Sequence, residues 1–183
     1  GFGYPPVHFG GWYVPRALWY KRTAAHNTVV VDGKDQRPVL DCPESEPLAI
    51  QLNPQKGLVR GKTTAWTDGA QVKLIATSGP ELITTTEMQR YERSLMLVDI
   101  SGDDSYVLDV FRVAGGRDHA KMLHPNFGPA KVTGLELAPL PDFPDENAQM
   151  RNFRGGKPEK DWQVDWKIED PCGLLPAEAD VHL

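Results

Sequence analysis

The sequence predicts an all-β fold, an antiparallel β-sandwich, and three observations carry that prediction. Short β-branched and aromatic runs recur along the chain, turn signals rich in Gly and Asp separate them, and no window of about 11 to 18 residues keeps an apolar stripe at helical spacing. Regularly spaced runs of this kind suit a sandwich, because every second side chain of each strand can face an opposing sheet.

The first run, at 27–31, is Asn27-Thr28-Val29-Val30-Val31, and it ends at Asp32-Gly33, a pair that tolerates the positive backbone angles of a tight hairpin turn. Further strands are expected at 58–66, 71–76, 91–100, 106–113, 131–137 and 162–168. Thr67-Asp68-Gly69, Ser101-Gly102-Asp103-Asp104 and Gly115-Gly116 mark turns between them. The Val29, Val30, Val31 run and the Leu108, Asp109, Val110 run are expected to be buried strands. Two stretches interrupt the pattern. Residues 41–57 carry Pro43, Pro47 and Pro54 and read as a connection. Residues 138–160 are rich in Pro, Asp, Asn and Gly, with Arg151, Arg154, Lys157 and Lys160 near their end. They read as a long surface loop, either merely solvated or facing a substrate.

With 183 residues the chain has room for one domain, or one domain with an appendage. Its formal charge of -5 leaves no basic stripe of the kind that neutralises phosphates, so a nucleic-acid partner is not expected. The apolar runs fall far short of the ~18 residues that span a bilayer, and no signal-peptide pattern is present. Cys42 and Cys172 are either one disulfide or two unrelated thiols. The chain opens on Gly1 without Met and closes on an extended-looking run, so the expected domain, 1–183, is read as truncated at both ends. No GxSxG elbow, P-loop, GxGxxG or HExxH run occurs. Asp103-Asp104 reads as a pair of solvated turn acids, and the five Trp residues read mostly as core.

The residues that point to chemistry are concentrated before position 37. Trp12-Tyr13-Val14-Pro15 leads through Lys21-Arg22 to Thr23-Ala24-Ala25-His26-Asn27-Thr28-Val29-Val30-Val31-Asp32-Gly33, with Gln36 following. This run resembles the signature that opens the sandwich domain of heparinase II/III-like polysaccharide lyases. A second resemblance covers Tyr91-Glu92-Arg93-Ser94-Leu95-Met96-Leu97-Val98-Asp99, Tyr106-Val107-Leu108-Asp109-Val110-Phe111-Arg112-Val113, Gly115-Gly116 and residues 119–124. Together they span residues 1–126; beyond that the similarity is one of composition only.

The resemblance implies an α/α toroid preceding this segment and a β-sandwich packed on it, with a cleft between them for an acidic polysaccharide or oligosaccharide. It implies a zinc ion held by His26 and by two ligands upstream of Gly1, and a proton-transferring tyrosine at Tyr13. Trp12 and Arg22 become the candidate substrate contacts. The toroid's own catalytic residues are not in this chain, so it is expected to be inactive alone, and a secreted or periplasmic setting is implied. A non-catalytic saccharide-binding or structural module is the alternative.

The chemistry is consistent with those roles. β-Elimination from a uronic acid removes a weakly acidic proton beside a carboxylate, which must first be neutralised by a cation or strong donors. A tyrosine can act as base once nearby positive charge lowers its pKa from about 10, and Arg16, Lys21 and Arg22 lie near Tyr13 in sequence. Zinc requires three or four ligands. His119 and His124, five residues apart on an extended strand, face opposite sides, so at most one of them can join His26.

Overall fold

The computed structural model describes residues 15–20, 22–37, 61–85, 87–124, 128–144, 146–148, 150–158, 161–167, 169 and 180–182. The chain divides into two compact units, Thr28–Met122 and the combination of Gly1–Asn27 with Leu123–Leu183. Every strand pairing among the described residues is antiparallel, so the predicted all-β class holds.

The Thr28–Met122 unit is built on a four-stranded meander. Strands β2 (Lys62–Asp68), β3 (Val72–Ser78), β4 (Arg90–Asp99) and β5 (Ser105–Ala114) pair in sequence order. Their turns follow the predicted signals. Gly69 closes the first, donating its N–H to the Val72 carbonyl at 3.1 Å. At the β4–β5 turn the Ser101 hydroxyl accepts from the Asp104 N–H at 3.1 Å, as Ser and Asp do at turns.

A shorter ribbon joins β1 (Val29–Val31) to β6 (His119–Lys121), with Val29 opposite Lys121 and Val31 opposite His119. Asp32 and Gly33 follow β1 at φ 52° and 65°, and the Lys34 N–H returns to the Val31 carbonyl at 3.0 Å. Two successive positive φ angles are the type I′ signature that Asp-Gly predicts. Gly116, at φ 77°, is needed for a second reason: a Cβ there would fall 2.5 Å from Val31 Cγ1.

The core of this unit lies where the ribbon meets the sheet. Val29 and Val31 pack with Ile83 and Tyr91, and Met88, Phe111 and Val113 close around them. All three β1 valines are buried, and full burial of such a side chain is worth roughly 1.5–3 kcal/mol. Tyr91 meets Phe111 edge to face at 5.0 Å between ring centroids. The predicted burial of 108–110 is not observed: Leu108 is 45% exposed and Val110 half-buried. Strand alternation explains this, since Phe111 and Val113 face the ribbon and so direct Leu108 and Val110 to the opposite sheet face.

In the other unit, β7 (Ala130–Thr133), β10 (Gln163–Lys167) and β11 (Asp180–His182) form a three-stranded sheet with β10 central. The strand expected at 131–137 ends early because Gly134 turns at φ 78°, where a Cβ would collide with the Asp161 carbonyl. The long loop is tied at its base. β8 (Ala138–Pro139) pairs with β9 (Arg154–Gly155), the Leu140 N–H reaches the Phe153 carbonyl at 2.8 Å, and Ala148 is buried. A single turn of helix, α1 (Pro15–Tyr20), is shorter than any window a helical stripe would fill. Its Trp19 is buried against Phe143, with ring centroids 5.7 Å apart. By contrast Trp66 and Trp162 are exposed, so only part of the tryptophan set is core. No helix among the described residues is long and apolar enough to cross a membrane. Cys42, Cys172 and the 41–57 connection lie outside the described residues.

The Tyr91 hydroxyl donates to the Val29 carbonyl at 2.6 Å and accepts from Gln36 Nε2 at 2.7 Å and from the Thr28 hydroxyl at 2.9 Å. Tyr91→Phe leaves the Val29 carbonyl without this donor, and the expected loss is about 1–3 kcal/mol of unfolding free energy. Urea denaturation of both chains measures it; an unchanged midpoint would mean that the hydroxyl does not hold β1 to the sheet.

Candidate functional site

The predicted motif begins on a tight turn. Arg22 leads into a 3-10 turn, Thr23–Ala25, whose Thr23 and Ala24 are buried; the Ala25 N–H returns to the Arg22 carbonyl at 3.1 Å and the His26 N–H to the Thr23 carbonyl at 3.1 Å. Small side chains at 23–25 let this turn pack inward. His26 Nδ1 lies 2.9 Å from the Arg22 carbonyl oxygen. A carbonyl only accepts, so Nδ1 carries the proton and the Nε2 lone pair is left for another partner. Backbone-carbonyl pinning of one ring nitrogen is how metal-binding histidines are commonly oriented.

His124 belongs to the same locality. Its ring Nε2 donates to the Ala24 carbonyl at 2.8 Å, and its backbone N–H donates to Asn27 Oδ1 at 2.6 Å. Asn27 thus ties the motif to the chain at 124, which sequence spacing did not reveal. His119 lies in the Thr28–Met122 unit, on β6, with Nε2 2.7 Å from the Gly115 carbonyl. Among the described residues no group of three or more His, Cys, Asp or Glu side chains is gathered as a metal cage. His26 belongs to no such group, so a metal at its Nε2 would need further ligands from other residues. Arg22 is half-buried, and its carbonyl orients His26. Tyr13, Trp12 and Lys21 lie outside the described residues, as does the side chain of Arg16.

Two charged features of the Thr28–Met122 unit were missed from the sequence. The first is a cluster on the ribbon-facing side of the sheet. Arg93 grips Asp109 through Nε at 2.9 Å and Nη2 at 3.0 Å, while Lys121 from β6 reaches the same carboxylate at 2.6 Å. Both cations sit over the Phe111 ring, at 5.6 Å and 5.0 Å from its centroid. Partial burial pushes the Asp109 carboxyl upward, but hydrogen bonds and positive charge from Arg93 and Lys121 outweigh it and hold the group below the usual carboxylate range. The available signal was an acid in the middle of an apolar strand that pairs with an arginine-bearing one.

The second feature is the Asp32 carboxylate. It accepts the backbone N–H groups of Arg117 at 2.7 Å and Asp118 at 3.0 Å, and the Thr85 hydroxyl at 3.0 Å. Those backbone donors, then Thr85, hold its pKa below the ordinary value. Beside the arginine cluster, a cleft of about 160 Å³ opens between Thr28, Thr77, Leu82, Tyr91, Arg93 and Phe111.

Both carboxylates titrate lower in the folded chain than in the unfolded one. Their contribution to stability is complete above the unfolded value of ~3.9 and is lost as pH falls through the lowered folded values. Unfolding free energy from urea titrations should decline on acidification in that range. The double variant Asp32→Asn, Asp109→Asn should decline less steeply, and equal slopes would contradict the assignment. Comparison of the chain with protein-family models, with curated proteins and with solved structures gives no match.

Proposed function

We propose that this chain supplies the β-sandwich part, and one edge of the active site, of a secreted or periplasmic polysaccharide lyase acting on uronic-acid-containing polysaccharide by β-elimination. The observation that carries this reading is the orientation of His26. Its Nδ1–H is committed to the Arg22 carbonyl, which presents Nε2 as the donor atom a zinc ion requires. The Thr23-Ala24-Ala25-His26-Asn27-Thr28 motif supports it from the sequence side, together with the contacts that His124 makes to Ala24 and Asn27.

In this reading the remaining zinc ligands come from residues upstream of Gly1, and an α/α toroid forms the opposing wall of the cleft. Zinc, when bound, supplies fixed positive charge. Tyr13 takes the proton from the carbon beside the uronate carboxylate, as the double bond forms and the bond to the glycosidic oxygen breaks, or returns a proton to that departing oxygen. Arg22 and Trp12 hold the sugar, the first by charge-assisted hydrogen bonds and the second by stacking. Heparan-type and alginate-type uronides both satisfy this chemistry.

Lyase activity is read from the ultraviolet absorbance of the unsaturated uronide product. In a protein that includes the upstream toroid, Tyr13→Phe should lower the rate by about 10²–10⁴-fold. The isolated 183-residue chain, supplied with zinc, should form no product. An undiminished rate in Tyr13→Phe would remove the proton-transfer role. Absence of product in the longer wild-type protein with every uronide tried would favour a non-catalytic saccharide-binding module.

A further inference from the structure

Among the described residues the four-stranded sheet ends in two free edges, β2 and β5, and they differ in kind. Strand β2 is blunted: its pairing shifts register between Thr63 and Ala65, and Lys62 stands at its start. Bulges and edge lysines are devices that discourage further pairing. Strand β5 has neither. It pairs with β4 from Ser105 to Ala114 without a register shift, and Tyr106, Val107 and Leu108 are 51%, 63% and 45% exposed. Its acidic side chain, Asp109, is already bonded to Arg93 and Lys121.

Backbone alternation determines which groups of β5 point outward. The Ile100 N–H donates to the Asp104 carbonyl at 2.9 Å, so the hydrogen-bonded pairs of the β4–β5 ladder are Val98 with Tyr106, Met96 with Leu108, and onward by twos. The N–H and C=O groups of Ser105, Val107, Asp109 and Phe111 therefore point away from β4. A regular, exposed row of this kind is a template for another strand.

The charges of β5 select which strand. Opposing residues of an antiparallel pair share a sheet face, so a two-fold axis joining two β5 strands must pass beside a residue and not between two. Centred on Asp109, it sets carboxylate against carboxylate; centred on Val107 or Val110, Arg112 meets no acid. Centred on Leu108, Arg112 of each copy stands opposite Asp104 of the other, Tyr106 opposite Val110, and Leu108 opposite Leu108. These are non-hydrogen-bonded positions, where Cα atoms approach to ~4.5 Å and side chains lie closest. The outward backbone groups then bond in pairs, Ser105 with Phe111 and Val107 with Asp109.

We infer that β5 is a self-association edge, through which two copies of this chain pair antiparallel about Leu108 into one continuous sheet. Neither His26 nor a metal takes part, so this inference and the lyase reading stand or fall separately. One strand from each copy buries less than the ~1,200 Å² of a standard interface, which makes the dimer weak, with a dissociation constant on the order of 10–100 µM.

Sedimentation velocity of the 183-residue chain, from about 1 µM to about 1 mM, should show monomer passing to dimer. Val107→Pro removes an outward N–H and leaves the ladder to β4 intact, and it should weaken association at least about tenfold. Arg112→Asp and Asp104→Arg each set like charges across the contact and should weaken it about tenfold. Combined, they exchange the charges and should restore association, which damage to the fold would not do. Thermal unfolding verifies that each variant is folded. In a mixture of isotope-labelled and unlabelled chains, NMR should detect contacts between copies that join Leu108 to Leu108 and Tyr106 to Val110. A chain still monomeric at about 1 mM, undiminished association in folded Val107→Pro, no recovery in the double variant, or contacts between copies at β2 would overturn the inference.

Discussion

The phenolic oxygen of Tyr91 is shared among three partners at one end of the four-stranded sheet, and the ribbon-on-sheet packing of the Thr28–Met122 unit depends on it. Its proton goes to the Val29 carbonyl, and its lone pairs take Gln36 and Thr28. A phenol has one proton and two lone pairs, so all its capacity is used. That matters because Tyr91 is buried, and a hydroxyl left without partners there costs roughly 1–3 kcal/mol. Once it is satisfied, β1 lies over the sheet with Val29 and Val31 directed into the core, and β6 follows by pairing with β1.

Electrostatics completes what the apolar contacts begin. Asp32 sits one residue beyond β1 and gathers the backbone donors of Arg117 and Asp118, so the turn after β1 and the bend before β6 are held together. Asp109 does the same for side chains, joining β4, β5 and β6 through Arg93 and Lys121. The Arg93–Asp109 pair is charge-assisted, bidentate and partly shielded from water, which makes it stronger than exposed surface pairs such as Lys73 with Asp99, whereas the bonds to Asp32 are exposed.

Local chemistry was legible in the sequence, and long-range register was not. The alternation and turn residues around 71–76, 91–100 and 106–113 placed β3, β4 and β5 to within two residues, because hairpin register depends on neighbours close in the chain. Asp32-Gly33 announced its turn type for the same reason. The pairing of β1 with β6 joins residues about ninety positions apart, and no local signal encodes it. The arrival of Lys121 at Asp109, and the choice of which face of β5 meets the ribbon, both depend on that pairing, so neither was visible in the sequence. In the candidate site, the motif singled out His26 and Arg22 as candidates, and the carbonyl that pins the imidazole and the approach of His124 to Ala24 needed coordinates.

The proposed function turns on His26 serving as one ligand of a zinc ion whose other ligands the family resemblance implies upstream of Gly1. Elemental analysis of zinc in four purified proteins tests it: the 183-residue chain and a longer protein including the upstream toroid, each as wild type and as His26→Ala. An imidazole alone cannot retain zinc against water, so the short chain should be metal-free in both forms, while the longer wild type should hold stoichiometric zinc and its His26→Ala variant should lose most of it. Stoichiometric zinc in the short wild-type chain, lost on His26→Ala, would place the whole site within these residues. Undiminished zinc in the longer His26→Ala protein would remove His26 from the site altogether, and either result would contradict the account.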